Sequence, residues 1–200
     1  MPDILYRPAR LDDSEALAKL MRMAGGGIAD FLLQDRFEDL SCHELIKMVV
    51  ADEVTPMGYH NHIVAEHQGR VVSAINYYPA EQHILPDIVH NLIPAERIEY
   101  LADFYQVPIE QSLYLHSIAT LPDYQRQGIS TALYTHLQDI AKAGNFTSIS
   151  AHVWQGNHAA VNAFKKLGFS QHSIVEIKPD PAFTYQSNIV LLKAPITGPS

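Results

Sequence analysis

Two hundred residues, 47% of them apolar, are enough for one domain with a real core. Fourteen basic residues against 22 acidic ones leave a net charge of −8, which argues against a nucleic-acid-binding surface. Cys42 is the sole cysteine, so a disulfide framework is excluded. No run approaches the ~20 apolar residues of a membrane span.

The N-terminal stretch "MPDILYRPARLDD" lacks the apolar stretch of a secretory signal, so the chain reads as soluble and cytoplasmic, with no membrane partner. "DILYRPA" is a short first strand broken by Pro8. A helix follows Asp12 and Asp13, with Leu17, Leu20 and Met21 on its apolar face, and stops at Gly25–Gly27. "SCHE", Ser41 to Glu44, has capping-box spacing and opens a helix that runs to about Ala51. "HNHIVAEHQGRVVSAINYY" reads as a hairpin turning at Gln68-Gly69. Residues 79–112 interrupt the pattern with a helical insertion, with Pro94 at a helix start and Ile98, Leu101 and Tyr105 at helical spacing. The insertion is acidic: Glu81, Asp87, Glu96, Glu99, Asp103 and Glu110 face only Arg97. An acid excess reads either as a solvated face or as a preference for a cationic substrate.

"LYLHSIATL" is a strand with little alternation, as expected when both faces are buried. An amphipathic helix follows with Ile129, Leu133, Leu137 and Ile140 on one side. "TSISAHVW" is the next strand, and Asn157 caps a helix carrying Val161, Phe164 and Leu167 that closes at Gly168. Two more strands are expected near Gln171–Ile177 and Phe183–Leu192, and 194–200 reads as a flexible tail. This order predicts one α/β (α+β) domain over residues 1–193. Its centre would be a mixed, mostly antiparallel sheet of about six to seven strands, with helices on both faces.

The segment "PDYQRQGISTAL", Pro122 to Leu133, places a polar, glycine-bearing loop before a helix. A helix N-terminus carries unpaired N–H groups and roughly half a positive charge, so the loop reads as a phosphate cradle. Taken alone it reads at least as readily as a tight strand-to-helix turn that needs Gly128 for its backbone angles. No G-K-[ST] follows the glycine, and the three glycines of a dinucleotide fingerprint are missing.

Together, "SIATLPDYQRQGISTAL" and "NHAAVNAFKKLGF" resemble the GNAT superfamily of acyl-CoA-dependent N-acyltransferases. The family's loop, [QR]-x-x-G-x-[GA], falls on Gln125, Arg126, Gln127, Gly128, Ile129 and Ser130. Its next block falls on Asn157, Ala160, Phe164, Lys166, Gly168 and Phe169. The resemblance implies an acetyl-CoA-dependent transfer to a primary amine. Amides from Gln125 to Thr131 would bind the coenzyme A pyrophosphate, and the backbone of Ile118, Ala119 and Thr120 would pair with the pantetheine arm. Asn157 would contact the arm from the other side, and Phe164 would pack near the sulfur. Two residues depart from the pattern. Ser130 replaces a glycine or alanine, and its hydroxyl could contact a phosphate. Phe164 replaces a tyrosine able to protonate the leaving thiolate, which raises a coenzyme A-binding regulator with little turnover as the alternative.

Acylating a lysine-like amine requires its neutral form, about one molecule in ~2,500 at pH 7, a handicap of roughly 4.6 kcal/mol. A period of two puts Tyr114, His116, Ile118 and Thr120 on one face of their strand. Family members often place a carboxylate or histidine near its start. His116 is thus the candidate base and Tyr114 the candidate acid; either also reads as packing. The acceptor, a small amine or a peptide or protein amine, is left open by the sequence, as is homodimer formation. His60 and His62 lack a third partner, so no metal is expected. Trp154 reads as pocket lining or core, and the resemblance puts Ala24–Leu33 over the acceptor.

Overall fold

The computed structural model describes residues 3–34, 39–85, 93–105 and 109–196. The chain opens with β1 (Leu5–Pro8), then α1 (Ser14–Ala24), α2 (Ile28–Leu33) and α3 (Cys42–Ala51). The Ser41 hydroxyl accepts from the Glu44 N–H (3.2 Å) and Glu44 accepts from the Ser41 N–H (2.8 Å), a reciprocal cap that starts α3 where the sequence places it. β2 (His62–His67) and β3 (Arg70–Pro79) form the expected hairpin. Gln68 and Gly69 both adopt left-handed angles (φ 51° and 78°), as a two-residue turn matched to strand twist requires.

The insertion contains α4 (Ala95–Tyr100), followed by a short 3-10 turn at Ala102–Phe104. Asp87 falls outside the described residues. Glu81, Glu96, Glu99, Asp103 and Glu110 are all exposed, whereas Ile93, Leu101, Phe104 and Ile109 are buried. The acids are a solvated face, and the segment docks through its apolar residues.

β4 (Ser112–Thr120), α5 (Ile129–Ala143), β5 (Ser148–Trp154), α6 (His158–Lys166), β6 (Ser170–Val175) and β7 (Ile189–Pro195) complete the fold. The seven strands form one mixed sheet in the order β1-β2-β3-β4-β5-β7-β6. β4 and β5 are parallel, and every other neighbouring pair is antiparallel. α1 and α5 both pack on β3 and β4, so β4 is covered on both faces and reads as a near-continuous apolar run.

Two boundaries differ from expectation. The last strand begins at Ile189, not Phe183, because Asp180 folds the chain into a turn: its side chain accepts from the Ala182 N–H (2.8 Å) and its carbonyl from the Phe183 N–H (3.0 Å). The same strand runs through Ala194 and Pro195, and the Ile196 N–H donates to the Thr147 carbonyl (2.9 Å), so sheet pairing holds the start of the expected tail. Residues 197–200 fall outside the described residues.

The main core gathers α1, α3, α5 and the central strands around Leu17, Val50, Leu133, Leu137 and Ile149, all but fully enclosed. A second core joins α2, the insertion and the β6–β7 loop through Phe31, Leu101, Phe104, Trp154 and Phe183. Gly26 and Gly27 (φ 59° and 97°) make this junction close: an added Cβ would lie 2.3 Å from the Trp154 indole nitrogen and 2.1 Å from the Ala182 carbonyl, respectively.

Candidate active site

β4 and β5 part company near their starts. Parallel pairing joins only Ser112–Ser148, Leu113–Ile149 and Tyr114–Ser150. β4 then continues to Thr120 and β5 to Trp154 with no partner on the facing edges. A bulge in β4 contributes. Tyr78 pairs with Tyr114, Tyr77 with Leu115 and Asn76 with Ser117, so His116 is the extra residue. Bulges bend a strand and raise its twist, turning β4 away from β5.

The bulge also changes which side chains share a face. Cross-strand partners project to the same side. Ser117 and Ala119 therefore join Tyr114 on one face, whereas Ile118 and Thr120 align with Ile75 and Ser73 on the other. The single face of Tyr114, His116, Ile118 and Thr120 expected from strict alternation does not form.

A cavity of about 750 Å³ occupies the wedge. One wall comes from Ile118, Ala119, Thr120, Gln125, Ser130, Asn157 and Phe164; the opposite wall comes from α1, α2, α3 and the insertion. Tyr114, His116 and His152 line it between these walls.

On the first wall, Gly128 caps α5 in the left-handed region (φ 82°) and offers no side-chain bond to the helix amides. The first backbone bond into the helix runs from the Ala132 N–H to the Gly128 carbonyl (3.0 Å). The N–H groups of Ile129, Ser130 and Thr131 therefore precede the helical ladder and point outward, with Gln125, Arg126 and Gln127 exposed beside them. A Cβ at Gly128 would meet nothing within 4 Å, so glycine serves the backbone angle and leaves the approach open. An uncapped helix end of this kind fits a diphosphate. The Ser130 hydroxyl is engaged elsewhere: it lies 2.9 Å from the Thr120 hydroxyl, which is 2.7 Å from that of Ser73. The Gln125 side chain donates to the Thr120 carbonyl (3.1 Å), tying the loop to the strand end.

Asn157 accepts from the Ala160 N–H (3.1 Å), so it caps α6 while lining the cavity. Phe164 is buried and packs edge-on against Phe169 at 4.9 Å between centroids. Trp154 does both things the sequence allowed: it packs on Phe183 (5.0 Å), donates to the Gly25 carbonyl (3.3 Å) and lines the cavity.

Titratable groups gather at the bottom of the wedge. The Tyr114 hydroxyl lies 2.9 Å from His152 Nδ1. His152 Nε2 and His116 Nδ1 are enclosed with no hydrogen-bond partner. His116 and His152 are half-buried, and both line the cavity. That enclosure pushes both imidazoles down to about 4, and at His152 the neighbouring His116 further disfavours charge. Both are neutral at pH 7. Burial also raises Tyr114, so its phenol keeps its proton.

The insertion supports this pair. His83 Nε2 faces the Phe104 carbonyl (3.1 Å), which can only accept, so Nε2 carries the hydrogen. Burial holds His83 neutral, so its Nδ1 accepts from the Tyr78 hydroxyl (3.1 Å). The ring thus fixed lies 4.2 Å from Tyr114 and 5.5 Å from His152.

The sequence reading missed His152, His83 and Tyr78. The available signal was the strand pairing: with Tyr114 opposite Ser150, His152 lies one side-chain repeat further along β5. Elsewhere, His62 is buried and donates from Nδ1 to the Gly58 carbonyl (2.9 Å). Among the described residues no three His, Cys, Asp or Glu side chains gather to hold a metal ion. No described helix is long and apolar enough to cross a membrane. Burial pushes the Cys42 thiol up to about 11, which leaves it protonated.

The chain is similar to known proteins in sequence and in fold. A segment of 61 residues is 39% identical to a Drosophila melanogaster protein named "Probable N-acetyltransferase san", covering 30% of this chain and 33% of that protein. The chain thus spans about a third of that relative's length. The fold aligns with an N-acetyltransferase from Staphylococcus aureus Mu50 at a TM-score of 0.71 and 22% identity, over 95% of this chain and 100% of that one. It also aligns with the diaminobutyrate acetyltransferase of Paenibacillus lautus, solved with L-2,4-diaminobutyric acid and coenzyme A. There the TM-score is 0.61 and the identity 15%, over 100% of this chain and 99% of that one. Residues 28–169 match the acetyltransferase (GNAT) family, well over half of the sequence, and the chain belongs to that family.

Proposed function

We propose that this protein transfers an acetyl group from acetyl-CoA to a primary amine, by direct attack of the amine on the thioester. The observation that carries the reading is the wedge: one cavity reaches from an uncapped helix N-terminus to a tyrosine–histidine pair. Acetyl-CoA, when bound, supplies an activated carbonyl and a thiolate leaving group. The Gln125 N–H is spent on the Pro122 carbonyl (3.2 Å), so the amides of Arg126 to Thr131 would hold its diphosphate, and the unpaired edge of Ile118, Ala119 and Thr120 its pantetheine arm. Asn157 and Phe164 would flank that arm.

The acid–base work falls to residues between the two walls. With Nδ1–H donated to the Tyr114 oxygen, His152 keeps an unpaired lone pair at its enclosed Nε2 and would take the amine proton through an intervening water. In the same tautomer the Tyr114 hydroxyl hydrogen is free to go to the departing sulfur. A proton entering at Nε2 releases one from Nδ1 to the tyrosine oxygen, so the pair carries one proton from nitrogen to sulfur overall. His116, neutral and open to the cavity, remains a second acceptor. The hydroxyl missing at Phe164 is present on Tyr114 in the same cavity, which removes the motive for a regulatory protein without turnover.

The test pairs calorimetry of acetyl-CoA binding with thiol release on a panel of amines. Micromolar binding and amine-dependent release are expected. Absence of binding would overturn the reading.

A further inference from the structure

We infer that the acceptor is a primary amine on an apolar body carrying no second positive charge. The inference rests on the acetyl-transfer reading and names the substrate class of that same site. The acceptor wall is built by Ile28, Leu32, Ile93, Phe104, Trp154 and Ile189. The exposed side chains of Met23 and Met48 continue it to the rim. Among the described residues no arginine or lysine lines the cavity, and the one carboxylate that does is Asp52. That carboxylate stands at the surface rather than along the wall, and one of its oxygens accepts from the N–H groups of Val54 (2.6 Å) and Thr55 (3.0 Å).

The insertion's described acids stand away from the cavity. Glu81, Glu96, Glu99, Asp103 and Glu110 are exposed, and none of them lines the cavity. His116 and His152 line the wedge, and both are neutral at pH 7. The reacting amine must shed its own charge before it attacks. A second ammonium would be buried against aliphatic and aromatic carbon without a counter-charge, a placement that costs far more than any apolar contact returns. A polyamine, a free lysine or an aminoglycoside therefore meets no counter-charge along the described apolar wall, whereas an alkyl, aryl or apolar N-terminal body matches it.

The experiment measures kcat/KM by thiol release for hexylamine, 2-phenylethylamine and a leucine-headed tripeptide amide against spermidine and L-lysine, with acetyl-CoA binding followed in parallel. Preference for the first group by about 100-fold or more is expected, and the order within it separates a small amine from a peptide N-terminus. Equal or better use of spermidine or lysine overturns the inference while leaving acetyl transfer intact. Acetyl-CoA binding with no amine used also overturns it, and failure to bind acetyl-CoA removes both readings. Met23→Glu, at the exposed rim, places a carboxylate at the acceptor mouth. It is expected to raise spermidine relative to 2-phenylethylamine by about tenfold with acetyl-CoA affinity unchanged; a folded variant with an unaltered ratio counts against this wall as the acceptor's.

Discussion

The Tyr114 hydroxyl and His152 Nδ1 lie 2.9 Å apart across the point where β4 and β5 separate, although 38 positions divide them in the chain. Parallel pairing brings Tyr114 opposite Ser150, and the next side chain on that side of β5 is His152. If the two act as one proton-transfer unit, Tyr114→Phe should lower kcat by about 100-fold, with acetyl-CoA affinity little changed. His152→Gln should do the same, and the double variant should be no worse than the weaker single one. Losses that multiply would show two independent roles. The measurement is steady-state kinetics with calorimetric binding on each variant.

Acid should unfold this protein early. His62 and His116 are pushed down to about 3 and about 4, His152 to about 4, and His83 well below its ordinary value, all chiefly by burial. In the unfolded chain each takes a proton below about pH 6.5. Between that pH and the folded values the unfolded state binds more protons, so stability rises with pH there. The contribution is complete above about pH 6.5 and is lost as pH falls toward about 4. Each histidine adds a slope of up to about 1.4 kcal/mol per pH unit. Urea unfolding at pH 7.5, 6.0 and 5.0 should show the midpoint dropping steadily; a constant midpoint would mean these rings are not held neutral.

Gly128 separates backbone strain from ligand contact. Its φ of 82° costs an alanine about 1–2 kcal/mol, yet the added methyl would meet no neighbour. Gly128→Ala should fold, with modestly lower stability and weaker acetyl-CoA binding. Gly128→Asp adds negative charge where the diphosphate would sit and should abolish binding in a folded protein. Calorimetry alongside thermal melts distinguishes the two, and normal binding by a folded Asp variant would place the diphosphate elsewhere.

Gly26 tests the junction of the second core. A methyl there would sit 2.3 Å from the buried Trp154 indole, at a φ of 59°. Gly26→Ala should cost about 2–4 kcal/mol, as overpacking and left-handed strain add. Gly25→Ala, whose Cβ meets only carbonyl oxygens at 3.6 and 3.8 Å, should be nearly neutral. Thermal unfolding of the pair checks the contrast.

What the sequence alone determined is local. The Ser41–Glu44 cap, the Gln68-Gly69 turn, Asn157 as a helix cap and the glycine-led start of α5 each depend on residues within about five positions, where backbone geometry dictates residue type. The two blocks around Gly128 and Asn157 therefore carried the family resemblance without any knowledge of packing. Only the tertiary structure decided the chemistry between them. It brought His152 to Tyr114, inserted the bulge that breaks the alternation of β4 at His116, and turned the insertion's acids to solvent with its apolar side inward. Strand pairing, register and burial are set by the balance of the whole core, and a histidine's charge follows its burial. No short stretch of chain encodes those quantities.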